Sequence, residues 1–150
     1  MPAINEILSV ENPVFRSYMF YGSVLVVKML VMSLLTARQR IKNKAFANPE
    51  DAELNKVKVK VHEDVERVRR AHLNDVENIL PYFLVSFGYL LTNPAPFVAI
   101  WLFRVYTAAR FAHTLVYAVA VVPQPARGIS WFAGYLITGY MAFRTITYFA

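Results

Sequence analysis

The chain of 150 residues contains no cysteine. Disulfides, thiolate metal sites and a cysteine nucleophile are therefore excluded, and any thiol chemistry must arrive with a ligand. Charge is also scarce: Asp, Glu, Lys and Arg make up 17% of residues, against about 25% in an ordinary soluble domain. The five glycines form no Walker or Rossmann pattern and no Gly-x-Ser-x-Gly elbow. The three histidines, His62, His72 and His113, lack the close spacing of metal ligands, so no metal site is expected.

What is abundant is apolar: 57% of the residues are hydrophobic. The charges that remain are clustered, with ten of the sixteen Lys and Arg between Arg38 and Arg70. That distribution suits alternating membrane spans and aqueous loops. The net charge of +6 sits mostly beside apolar runs, which points to an anionic membrane surface and away from nucleic acid. The segment ahead of the first apolar run carries Glu6 and Glu11 and no basic residue before Arg16. It lacks the basic start of a cleaved signal, so the first span is expected to stay as an anchor.

The pattern predicts an all-α membrane protein, a bundle of four transmembrane helices in a single domain over 1–150. About 20 apolar residues cross the hydrocarbon core as a helix. The expected spans are about 15–37, 70–91, 97–122 and 129–149, with a loop over 38–64. Span one should stop at the basic run Arg38 to Lys44. Asn48-Pro49-Glu50-Asp51 reads as a turn leading into a short helical start. Lys56 to Val61 alternates as a strand would, but no partner strand is in sight, and a solvated basic linker is expected. Pro81 should kink span two. Gly134 and Gly139 are candidates for close helix approach. The first loop is strongly basic and the third holds Arg127, whereas the second carries no charge. Basic loops stay in the cytosol, so the termini are expected on the opposite side.

The residues that point to function are polar groups at membrane depth. An Arg or Lys at a helix centre costs about 2.5–3.5 kcal/mol on insertion scales, so such residues usually face a bundle interior. Arg70, Asn74 and Glu77 lie at i, i+4, i+7, on one face of span two. Arg69, His72 and Asp75 lie nearby. Arg110, His113 and Tyr117 make a second stripe on span three, and Arg127 stands at the mouth of span four. A purely structural account would pair Glu77 with Arg110 and make His113 a satisfied core histidine. That account leaves the surplus of arginine at one depth unexplained, and a surplus of cations suits a small anionic ligand with carboxylates. Lys28 is expected to reach an acid such as Glu77 or to snorkel. Arg104 lies off the stripe, towards the far headgroups or a subunit interface.

Three segments also carry a family resemblance: Phe46-Ala47-Asn48-Pro49-Glu50-Asp51, the run from Glu66 to Asn78, and Arg110-Phe111-Ala112-His113-Thr114. They resemble the motifs of the membrane-associated proteins in eicosanoid and glutathione metabolism, and the similarity covers nearly the whole chain. Leu73 and the turn Pro123-Gln124-Pro125 with Arg127-Gly128 are similar to the glutathione transferase branch. The prostaglandin synthase branch has arginine at the position of Leu73, serine at that of Gly128 and tyrosine at that of Trp131.

The resemblance implies a homotrimer in the endoplasmic reticulum membrane, with the outer mitochondrial membrane as a second address. It implies glutathione as co-substrate, held between neighbouring subunits near the cytosol. Arg40, Arg69, Arg70, His72, Asn74, Glu77, Arg110 and Tyr117 would hold it, and Arg127 would be the catalytic residue beside its sulfur. The implied activity is conjugation of glutathione to hydrophobic electrophiles entering from the bilayer, with reduction of lipid hydroperoxides by the same thiolate. The alternatives within the family are a glutathione-dependent prostaglandin endoperoxide isomerase and a non-catalytic, lipid-presenting partner protein. Two departures from the pattern stand out. The stretch from Tyr117 to Arg127 is one residue longer than in either branch. Ala52 stands where the mammalian transferase has a sensor cysteine, so activation through that thiol is excluded.

Overall fold

The computed structural model describes residues 3–150. A short helix, α1 (Ile4–Ile7), precedes the first long one, α2 (Pro13–Asn43). Asn12 caps α2, its Oδ1 accepting from the amides of Val14 at 2.9 Å and Phe15 at 3.3 Å, with Pro13 in the first helical position. The helix ends where Lys44 turns left-handed at φ 48°. It therefore carries the basic run Arg38 to Asn43 within itself, whereas that run was expected to lie in the loop. Cations near a helix C-terminus are favoured by the aligned peptide dipoles, which explains why the helix does not stop at Ala37.

After α2 comes α3 (Pro49–Leu54), seating Ala52 in the interior. The alternating Lys56 to Val61 segment forms no strand; its Val57 amide donates to the Ala52 carbonyl and its Lys60 amide to the Phe46 carbonyl, each at 2.9 Å. Helix α4 (Glu63–Leu91) opens on His62, whose ring nitrogen accepts from the Asp64 amide at 3.2 Å. The acids Glu63, Asp64 and Glu66 sit in its first turn, where the dipole favours them. It runs without interruption through Pro81. The missing proline N–H leaves the Glu77 carbonyl without its helical donor.

Helix α5 (Pro96–Thr114) continues into a π turn at Leu115–Val119, closed by the Ala120 amide on the Leu115 carbonyl at 2.8 Å. The last helix, α6 (Ala126–Phe149), starts at Ala126 and not near Ile129, so Arg127 and Gly128 belong to its first turn.

The four long helices form one bundle. α2 packs against α4 and α5, and α6 packs against the same two from the other side. The core between them is held by Leu25, Ile79, Phe103 and Met141, with the rings of Tyr82 and Tyr106 stacked at 3.5 Å and 3°. The Tyr106 hydroxyl donates to the Asn78 carbonyl at 2.9 Å, which satisfies it in a dry interior. Among the described residues there is no strand.

The helices' outer faces are apolar. Leu30, Leu34, Leu84, Phe97, Ile129 and Phe143 are all exposed, far more apolar surface than a soluble monomer shows. Among the described residues, only α2 is by length and composition apolar enough to cross a bilayer. The other three dilute their apolar runs with Arg, His, Tyr and the charged first half of α4.

Close approach falls partly on other glycines than the two expected. Gly134 does face Tyr106 and Arg110, but Gly139 has nothing within 4 Å. The tightest contact is at Gly88, where an added Cβ would come 3.0 Å from the Thr145 methyl of α6. Gly88→Val should therefore push α4 from α6 and lower stability by about 1–3 kcal/mol. The measurement is the thermal midpoint in detergent; an unchanged midpoint would show that the contact is slack.

Candidate functional site

At the end of the bundle beside the basic loop, α4, the π turn and the start of α6 enclose a groove of about 470 Å³. That lies in the range of small-molecule sites, about 300–1,000 Å³. Arg70, Asn74 and Glu77 form one wall, in helical register. His113 and Tyr117 form the back, and Arg127, Gly128 and Trp131 the other wall. The Arg127 guanidinium lies 4.5 Å over the Tyr117 ring, a cation–π contact that fixes its direction. Because α6 starts at Ala126, the groove also meets a helix N-terminus, whose dipole favours an anion; the Gly128 amide there donates to Gln124 Oε1 at 3.2 Å.

Behind the Asn74 wall lies a buried ionic cluster. The Asp75 carboxylate is inaccessible and takes one cation on each oxygen. Lys28 of α2 donates to Oδ2. Arg110 of α5 donates through Nη2 to Oδ1 at 2.6 Å, and the same nitrogen reaches Asn74 Oδ1 at 2.9 Å. Lys28 and Arg110 are themselves buried. Two cations on one carboxylate leave a surplus positive charge directly behind the groove.

Arg110 pairs with Asp75 and not, as the purely structural account had it, with Glu77; Lys28 does reach an acid, and the acid is Asp75. Asp75 had been placed beside the polar stripe and given no role. Periodicity could have found it: Val68, Ala71, Asp75, Ile79, Tyr82 and Ser86 make the buried stripe of α4, and Glu77 lies off that stripe, in the groove. An acid on the core-facing line is the one that buried cations can reach.

Of the expected site residues, the groove gathers Arg70, Asn74, Glu77, Tyr117 and Arg127, with His113 beside them. Arg110 stands one layer behind, through Asn74. Arg69, His72 and Arg40 do not line it. Arg69 turns away to Glu66 at 2.7 Å, on the exposed side of α4. His72, half-buried, lies off the Arg70–Asn74–Glu77 face. Arg40 sits in the last turn of α2. Arg70 also holds Glu63, at 2.6 Å. Among the described residues no cluster could hold a metal ion.

The MAPEG family model matches residues 18–147. The chain belongs to the MAPEG family. It is 44% identical to microsomal glutathione S-transferase 1 of Mus musculus and 42% to that of Homo sapiens, each over 142 residues and 91% of both chains. It is 35% identical to prostaglandin E synthase of Homo sapiens over 148 residues, 97% of this chain and 95% of that one. Membership implies a four-helix membrane bundle, and this accounts for the apolar outer faces of helices whose composition alone would not mark them as spans.

The groove's back wall includes the π turn at Leu115–Val119. A π turn holds one residue more than an α turn, and such bulges recur at functional sites. Here the widening falls at Leu115–Val119, around Tyr117 itself, and Arg127 still comes over the Tyr117 ring.

Removing the shared anion of the buried cluster should be costly. Asp75→Ala strands Lys28 and Arg110 without a counter-ion and should destabilise the bundle by about 3–5 kcal/mol. Retention of detergent-solubilised protein after graded heating measures it. Wild-type resistance in the variant would mean that the cluster carries little of the fold's stability.

Proposed function

We propose that this MAPEG chain is a membrane-bound glutathione transferase, conjugating glutathione to hydrophobic electrophiles and reducing lipid hydroperoxides with the same thiolate. The observation that carries this reading is Arg127. Its guanidinium is held over Tyr117 at a helix N-terminus, facing a wall that presents Arg70, Asn74 and Glu77. Similarity to microsomal glutathione S-transferase 1, at 42–44%, supports the same choice over the synthases, at 34–35%.

Glutathione carries two carboxylates, one ammonium group and one thiol. Arg70 and the Asn74 amide suit its carboxylates, with the Arg110 charge close behind. Glu77 suits its ammonium group. The sulfur would then lie at Arg127. A free thiol has a pKa of about 8.5, and an adjacent cation or helix N-terminus lowers it, raising the thiolate fraction at neutral pH. The thiolate attacks the electrophilic carbon, forms a thioether and expels the leaving group. With a hydroperoxide it attacks the terminal oxygen, giving an alcohol and a sulfenic acid, which a second glutathione converts to the disulfide and water. No protein thiol is needed, consistent with a chain that has none.

Arg40, Arg69 and His72 stay outside the groove of a single chain. In this reading they complete it from a neighbouring subunit of a homotrimer. The enzyme would lie in the endoplasmic reticulum membrane with the groove facing the cytosol.

The test is conjugation of a dinitrohalobenzene by protein in lipid, together with the ultraviolet absorbance of the bound thiolate. Arg127→Ala should lower turnover by about 100-fold and shift the thiol's titration to higher pH. An unchanged titration would move the thiolate away from Arg127. Glutathione bound without conjugation, but with isomerisation of a prostaglandin endoperoxide, would select the synthase activity. No glutathione binding would select a non-catalytic partner protein.

A further inference from the structure

The Arg110 guanidinium has three nitrogens, and one of them does all its visible bonding. Nη2 donates to both Asp75 and Asn74, whereas Nε and Nη1 are buried without a partner among the described residues. Its direction therefore depends on the Asp75 carboxylate. Asp75 in turn is held from the opposite side by Lys28, on a different helix. The carboxylate is thus clamped between α2 and α5, and Arg110 is aimed by it.

What Arg110 is aimed at matters for the groove. An arginine only donates hydrogen bonds, so the Asn74 atom facing it must be the oxygen. The Asn74 side chain is planar, so placing Oδ1 on Arg110 turns its NH₂ the other way. Asn74 lines the groove. Its amide is therefore presented there as a donor, beside the guanidinium of Arg70. Were the amide free to flip, an acceptor would face the same space and repel a carboxylate.

We infer that Asp75 is a positioning residue for the anionic ligand: through Arg110 it locks the Asn74 amide with its NH₂ towards the ligand's carboxylate. This rests on the glutathione reading of the groove and deepens it. The effect belongs to binding and not to thiol activation, because Arg127 stands on the opposite wall. Asp75 touches neither the ligand nor the reacting atoms.

The experiment compares glutathione affinity, turnover at saturating glutathione and thiolate absorbance in wild type, Asp75→Asn, Asn74→Ala and the double variant. Asp75→Asn keeps the shape of the side chain but offers one acceptor oxygen in place of two, so one of the two cations meets an amide NH₂ instead. The variant should weaken glutathione binding about tenfold, raise KM to match and leave kcat and the saturated thiolate absorbance within twofold. Asn74→Ala should weaken binding at least as much, and the double variant should bind no worse than Asn74→Ala, because both break one chain of contacts. Arg110→Lys keeps the charge balance that the fold needs. It lacks the planar fork that serves Asp75 and Asn74 together, and it should weaken binding to a similar degree.

Unchanged affinity in Asp75→Asn, or in Arg110→Lys should the first variant not fold, overturns the inference. So does a double variant with multiplied effects, or a fall in kcat with KM intact. Wild-type protein that binds no glutathione overturns the site reading itself, and this inference with it. Binding by wild type with unaltered variants overturns only the role of Asp75.

Discussion

One carboxylate fixes where three helices meet. Asp75 on α4 takes Lys28 from α2 and Arg110 from α5, and all three groups are buried. In a low-dielectric interior each cation would be costly alone, and together they need the anion. The pairing sets rotation and depth at once. If α2 or α5 slid by one turn, about 5.4 Å, a charge would be left without its partner. Apolar packing is more permissive, because leucines and phenylalanines exchange neighbours at small cost. The ionic cluster therefore supplies the register, and the Tyr82–Tyr106 stack and the Gly88 approach fill in around it.

Much of this was legible from residue spacing. The i, i+4, i+7 run of Arg70, Asn74 and Glu77 does make one wall, and Tyr117 and Arg127 do face it. The short helix after Asn48 follows from local propensity, and the lack of a strand at Lys56–Val61 follows from the want of a partner strand among the described residues. What spacing could not supply was the partner choice of the buried cations. Asp75 and Glu77 are two residues apart and chemically alike, yet helical rotation separates them by about 200°. One points to the core and the other to the groove. Ranking acids by charge alone treats them as equivalent; ranking them by the apolar stripe they share separates them. Helix ends were misjudged for a similar reason. A basic run looks like a loop on a hydropathy scale, but a helix C-terminus accepts it.

The cations of the groove are unevenly committed. Arg70 is shared with Glu63, whereas among the described residues Arg127 rests only on an aromatic face. A cation held by a ring keeps its hydrogen-bond donors free for a ligand. A cation held by a carboxylate must release or share it. The arginine that the proposed chemistry leans on is thus the one with the least internal competition.

The π turn bears on the same site. The segment between Tyr117 and Ala126 is short, carries two prolines, and brings Arg127 over the Tyr117 ring. A longer loop would let Arg127 drift, because each added loop residue adds freedom at little cost. A π turn takes one residue more than an α turn, so it uses chain length within the helix and keeps the loop short. Ala118 of that turn remains packed in the core. A helix distortion is therefore the less disruptive place to spend chain length when the two ends of a loop each carry part of the same site.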